Sequence, residues 1–152
     1  MNLLKIFKIC FGQQILASAL CGREQVFRRE KCEVGYKWLK TTNHILNDDI
    51  SSHLGESVFM FVWHNDEVSP DHPDLRIIAY SDDCPNHIFR YKDKPIWGIQ
   101  GHPEITLEES KNWFEENHED LEKDGARIND LLRDANEAIP AKMMIERFAK
   151  LI

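Results

Sequence analysis

The sequence of 152 residues predicts an α/β domain in which a central sheet is covered by helices. Three observations support this fold class. Stretches rich in β-branched and aromatic residues fill the middle of the chain, a helical pattern precedes them, and helical patterns follow them to the end. Composition changes nowhere along the chain and no internal repeat is visible, so we expect one domain over residues 1–152.

The N-terminal region combines an apolar stretch with a helical pattern. The stretch LLKIFKI at 3–9 is typical of a buried strand, and apolar residues at helical spacing over 13–21 predict a helix. Gly12 separates the two, and Gly22 lies where a helix commonly ends in a left-handed residue. The same region has some features of a signal peptide, although Lys8 interrupts the apolar core that a signal peptide requires. Both interpretations are open at this point.

The middle of the chain predicts the sheet. Turns rich in Asp, Pro and Asn separate four strand candidates, at 58–63, 75–81, 87–91 and 95–102. The stretch EVGYKWLKT at 33–41 is a further strand candidate, and we expect loop and short helical pieces between it and the first of the four.

The C-terminal part, from about residue 106 to 152, predicts helices. Thr106 and Glu109 have the spacing of a capping box, which marks the start of the first helix. Two more helical patterns follow at 126–137 and 140–152, and a proline at the start of the last one suits a first helical turn.

Composition limits the classes of function. Hydrophobic residues make up 42% of the chain and charged residues 30%, and no stretch of about 18 apolar residues could span a membrane. The net charge of −7 disfavours binding to nucleic acid. The four cysteines form no C-x-x-C pair, which suits a reducing compartment, so we expect a cytoplasmic protein.

The strand and helix at the N-terminus place Cys10 at a sharp corner. A cysteine between a strand and the N-terminus of a helix is typical of a nucleophile elbow, where the helix favours the thiolate. Taken alone, such a cysteine is more often a core residue. Two histidines that could serve as its base, His64 and His102, each follow a predicted strand, and Glu104 lies near the second. Residues beyond the carboxyl ends of strands can converge.

The other histidines give no indication of a metal site. No H-x-x-x-H spacing connects the set His44, His53, His72 and His87. We therefore expect neither a metal site nor a cofactor.

Three segments, KICFGQQIL, WHNDEV and GIQGHPE, resemble in this order the signature segments of class I glutamine amidotransferases. The resemblance spans about residues 5–110, and GHPE is similar to the stand-alone members, including γ-glutamyl-peptidase-like proteins. It decides against the signal peptide. It implies a three-layer, flavodoxin-like mixed sheet flanked by helices.

The resemblance also implies roles for particular residues. Cys10 matches the nucleophile, His102 the general base and acid, and Glu104 the carboxylate that orients the imidazole. Four further residues are implied to contact the substrate, with the backbone N–H of the first as an oxyanion donor: Phe11, Gln14, Trp63 and His64.

The implied reaction is hydrolysis of the side-chain amide of glutamine, or of a γ-glutamyl bond, through a cysteine thioester. The ammonia would pass to a partner synthetase. The sequence departs from the family where Lys8 replaces the first elbow glycine, and the strands and helices that precede the elbow in the family are not found before Cys10. We therefore expect an N-terminally shortened family domain. A catalytically impaired binding or interaction module is the alternative.

Overall fold

The computed structural model describes residues 4–152, so position 3 of the first predicted strand lies outside the described residues. The strands are β1 (Ile6–Ile9), β2 (Val26–Thr41), β3 (Ser57–Val68), β4 (Leu75–Tyr80), β5 (Ile88–Tyr91) and β6 (Ile96–Ile99). The helices are α1 (Phe11–Cys21), α2 (Leu107–Glu116), α3 (His118–Lys123), α4 (Ile128–Asp134) and α5 (Ile139–Ala149).

The six strands form one mixed sheet in the order β1-β6-β5-β4-β2-β3. β1 and β6 run parallel, and the other four neighbouring pairs are antiparallel. The parallel pair needs a long connection between its strands, and the rest of the sheet provides it. The predicted α/β class with a mixed sheet is confirmed.

Helices cover both faces of the sheet, as the alternating strand β5 shows. Phe89 points to the face where α1 packs with Leu16 and Ala17. Its neighbour Ile88 points to the opposite face, which α5 covers with Met144. Since successive strand residues point to opposite faces, these contacts define three layers.

An aromatic cluster fastens the C-terminal helices to the β2–β3 hairpin. Phe61 of β3 lies 5.6 Å from Phe114 and 6.2 Å from Trp113 between ring centroids, and both partners belong to α2. Tyr36 of β2 hydrogen-bonds Ser110 of the same helix at 2.9 Å. Burial of this aromatic surface holds the helices against the sheet.

Several local predictions are confirmed. Thr106 and Glu109 form the capping box, and Pro140 lies in the first turn of α5. Gly22 ends α1 with φ of 111° and ψ of 151°, so its φ is positive as expected while its ψ is extended. That combination is essentially restricted to glycine.

Other boundaries differ from the prediction because tertiary pairing decides them. β2 begins at Val26 instead of residue 33, and β3 continues to Val68 through a segment expected to turn. Val26 pairs with Val68, so each end of the hairpin supplies hydrogen-bond partners to the other. The short helix α3 was not predicted.

Candidate active site

Cys10 connects β1 to α1 in a strained backbone conformation. Its φ is 49° and its ψ is −114°, a region that residues with a side chain rarely adopt. The Cys10 N–H donates to the carbonyl of Ile99 at 2.7 Å, which fixes the corner to the end of β6. This is the geometry of a nucleophile elbow, with the thiol at the N-terminus of a helix.

The pairing of β1 with β6 explains how Cys10 and His102 meet. Ile9 pairs with Ile99 in this parallel pair, so the residues that follow them leave the sheet at the same edge. The backbone N–H of His102 donates to the carbonyl of Phe61 at 2.8 Å and holds the segment after β6 near β3. The two side chains, 92 positions apart in sequence, hydrogen-bond each other.

His102 also hydrogen-bonds Glu104, with 2.7 Å between Nδ1 and Oε1. Burial lowers the pKa of His102, but hydrogen bonds and charges from Cys10 and Glu104 outweigh burial and raise this pKa to about 9. The imidazole is therefore protonated at neutral pH, between a sulfur on one side and a carboxylate on the other.

Two polar groups contact the sulfur of Cys10. The thiol lies 3.8 Å from the carbonyl oxygen of Trp63, and Gln100 donates from Nε2 to the sulfur at 3.6 Å. Gln100 is fully buried, so solvent does not compete for this hydrogen bond. Sequence reasoning did not single out Gln100, although it lies in the GIQGHPE segment two residues before His102.

The expected substrate residues lie around Cys10 with partners of their own. Gln14 is buried and donates from Nε2 to the carbonyl of Asp66 at 3.0 Å and to Oε1 of Gln100 at 3.1 Å. The indole of Trp63 packs against Trp113 at 6.0 Å between ring centroids. These contacts connect the elbow helix to β3 and β3 to α2.

Phe11 is the first residue of α1, and its side chain is 69% exposed. The N–H groups of a helix's first turn have no intrahelical acceptor, so that of Phe11 is available to an anion beside Cys10. Lys8 finds room beside the elbow because Gly12 has no side chain: a Cβ there would lie 3.4 Å from Cβ of Lys8. The lysine itself is exposed.

His64 lies away from the thiol in a buried polar cluster. Its Nδ1 is 2.9 Å from the carbonyl oxygen of Asp66, and its Nε2 is 2.7 Å from Oε2 of Glu33. Burial raises the pKa of Glu33, but hydrogen bonds and charges from His64 and His87 outweigh burial and lower this pKa well below its usual range. The structure thus places His64 against Glu33, on the far side of the Asp66 carbonyl from Gln14.

A strained cysteine at a helix N-terminus, with a histidine and a glutamate in line, is a site of the cysteine acyl-transfer class. The family model described as "Glutamine amidotransferase class-I" matches residues 2–120. The chain belongs to the class I glutamine amidotransferase family.

Curated relatives support the same family. The chain is 35% identical over 101 residues to a glutamine-hydrolyzing GMP synthase subunit from Pyrococcus furiosus, covering 66% of this chain and 51% of that protein. It is 32% identical over 109 residues to the GMP synthase subunit of the same name from Methanococcus aeolicus, covering 70% of this chain and 54% of that protein. The chain thus spans about half the length of the curated relatives it matches.

Solved structures share the fold. A glutamine amidotransferase from Thermotoga maritima superposes with a TM-score of 0.76 at 24% identity, covering 95% of this chain and 62% of that one. A glutamine amidotransferase from Methylobacillus flagellatus also gives 0.76, at 22% identity, covering 96% and 62%. Among residues 4–152, no helix has the length and apolar character needed to cross a membrane.

Proposed function

We propose that this chain hydrolyses the side-chain amide of glutamine, or a γ-glutamyl bond, through a thioester on Cys10. The observation that carries this proposal is the strained Cys10 at the N-terminus of α1, hydrogen-bonded to a His102 that Glu104 holds in place. Family membership supports glutamine as the substrate class.

In the first half of the reaction, the thiolate of Cys10 attacks the amide carbon, and the electron pair of the C=O bond moves to oxygen. The N–H of Phe11 stabilises the resulting oxyanion. The intermediate then collapses, the C–N bond breaks, and the nitrogen leaves as ammonia with a proton from His102. A His102 pKa of about 9 suits this step because the proton is present at neutral pH.

In the second half, water cleaves the thioester. The acylated sulfur has no charge, so Cys10 no longer raises the pKa of His102, and the neutral imidazole is more readily formed. It takes a proton from water, the hydroxyl attacks the thioester carbon, and the C–S bond breaks. Glutamate leaves and the thiolate is restored.

The surroundings of Cys10 support a polar substrate. An open groove next to the elbow is lined by Phe11, Gln14 and Ile15, and Arg23 adds a cation that suits a carboxylate. Four free cysteines support a reducing, cytoplasmic location for a thiol enzyme. The names of the curated relatives support a synthetase as the acceptor of the ammonia.

Measuring ammonia and glutamate release from glutamine tests the proposal. We expect turnover by the wild-type chain and by Cys32→Ser, which removes a thiol outside the site, and none above background by Cys10→Ser. Equal release by Cys10→Ser would contradict the thioester mechanism.

A glutamine analogue carrying an electrophilic ketone separates the enzyme from the impaired binding module. Rapid stoichiometric labelling of Cys10 together with turnover supports the enzyme. Binding of glutamine without labelling or turnover supports the module instead.

A further inference from the structure

Four buried side chains with metal-binding atoms meet where the β2–β3 hairpin approaches the β4–β5 turn. One donor atom of each lies within 4.8 Å of the donor atoms of all the others. We call this set the buried donor cluster: Glu33, His64, Cys84 and His87. None of the four is used by the proposed reaction.

The hydrogen bonds of His64 call for a cation in the cluster. Its Nδ1 lies 2.9 Å from the carbonyl oxygen of Asp66, which can only accept, so Nδ1 carries the hydrogen. In the neutral ring, Nε2 then has a lone pair, yet it faces Oε2 of Glu33 at 2.7 Å. Two acceptors so close need a proton or a metal ion between them.

Unpaired atoms in the cluster point the same way. Oε1 of Glu33 and Nδ1 of His87 are buried without a hydrogen-bond partner, although Glu33 is only 5% exposed and His87 is fully buried. An ionised carboxylate with an unpaired buried oxygen is costly. A metal ion would supply the missing partner.

Two contacts resemble the supports that metal ligands receive. A ligating histidine commonly donates its other N–H to a backbone carbonyl, as His64 does to Asp66. Cys84 accepts a hydrogen bond from the backbone N–H of Asn86, which would stabilise a thiolate. The groove along β2, lined by Glu33, Arg29 and Asp83, gives a route from solvent.

The donor set selects the metal. Two imidazoles, one thiolate and one carboxylate match zinc, and the two negative ligands balance its charge of +2. Zinc–ligand bonds of about 2.0–2.3 Å put tetrahedral donors roughly 3.5 Å apart, so closure moves the donors by about 1 Å. We propose that the buried donor cluster binds one zinc ion in a closed, four-ligand structural site.

A zinc ion here would tie the hairpin to the β4–β5 turn beneath α1. Gln14 reaches the carbonyl of Asp66 at 3.0 Å, and Gln13 reaches that of His87 at 3.4 Å. The site would therefore fix the two segments on which the elbow helix rests. This inference stands independently of the proposed reaction.

Cobalt and zinc titration of the purified, chelator-treated full chain tests the site. We expect one cobalt ion per chain, with the charge-transfer band of a cobalt–thiolate bond that zinc then displaces. Cys84→Ser should lose the band, and Cys32→Ser, on β2 but outside the cluster, should keep it. Glu33→Gln should keep the band while cobalt affinity falls at least about 100-fold, since loss of even a second-shell partner costs 10–100-fold.

The wild-type chain decides the matter even if a variant does not fold. No thiolate band, or less than about one-tenth of a zinc ion per chain at saturation, would overturn the site and leave a hydrogen-bonded cluster with a protonated His64. The same band in folded Cys84→Ser would also overturn it. A zinc-dependent rise in melting temperature of the wild type and Cys32→Ser, absent in Cys84→Ser, would support it.

Discussion

Gln100 donates from its side-chain Nε2 to the sulfur of Cys10 across 3.6 Å, and its Oε1 accepts from Gln14 at 3.1 Å. The amide thus bridges the nucleophile and the second turn of the elbow helix. A buried N–H directed at sulfur stabilises the thiolate more than the neutral thiol.

Gln100→Leu should slow alkylation of Cys10 by iodoacetamide, and glutamine turnover, by about tenfold. A hydrogen bond to a charged group contributes about 1.5 kcal/mol or more, and 1.36 kcal/mol corresponds to tenfold in rate. Gln13→Leu is the control, because it removes a buried amide whose Nε2 reaches the His87 carbonyl instead of sulfur. Equal alkylation rates in the wild type and Gln100→Leu would exclude this role.

The stability of the fold should fall as pH rises from about 6.5 to 9. Burial lowers the pKa of His102, but Cys10 and Glu104 raise it to about 9 in the folded chain, against 6.5 as the ordinary value. The folded state therefore binds the extra proton in this window, and its stabilisation, at most about 3 kcal/mol, is complete below the window and lost above it.

Urea unfolding at several pH values, compared between the wild type and His102→Gln, measures this effect. The difference between the two free energies of unfolding should shrink across the window, since other titrating groups contribute to both. A constant difference would show that the protonated imidazole adds no stability.

Cys10→Gly should be more stable than Cys10→Ala by about 1 kcal/mol. A φ of 49° with a ψ of −114° strains any residue that has a Cβ, and such strain costs on the order of 1–3 kcal/mol. The matched control is Ala19→Gly, an exposed position in the same helix, where glycine should cost about 1 kcal/mol. Thermal or urea unfolding gives both values, and a less stable Cys10→Gly would show that the corner is unstrained.

Gly98→Ala should destabilise the fold by about 1–3 kcal/mol through overpacking. A Cβ at Gly98 would lie 2.6 Å from Cγ of Gln13 and equally close to the ring of Phe89, where α1 meets the sheet. Gly12→Ala is the comparison, since its new methyl would lie 3.4 Å from the Lys8 side chain. Similar free energies of unfolding for the two variants would contradict this close approach of α1.

Local sequence patterns predicted those elements whose stabilising contacts are local. The capping box at Thr106 and Glu109 uses hydrogen bonds within one helical turn, and Pro140 suits the start of α5 by its own backbone geometry. The strand β5 was found nearly to the residue because turn residues flank its apolar stretch. The start of β2 was missed because its polar residues are ordered by pairing with the end of β3.

The sequence by itself determined the α/β class, the family, and the candidate residues Cys10, His102 and Glu104, because these depend on short motifs and on periodicity. Only the tertiary structure decided which distant groups meet: Gln100 with the nucleophile, and Glu33 with His64. Such contacts depend on strand order and register, which join residues from separate segments. No spacing along the chain encodes them, since neighbours in a sheet can lie any number of residues apart.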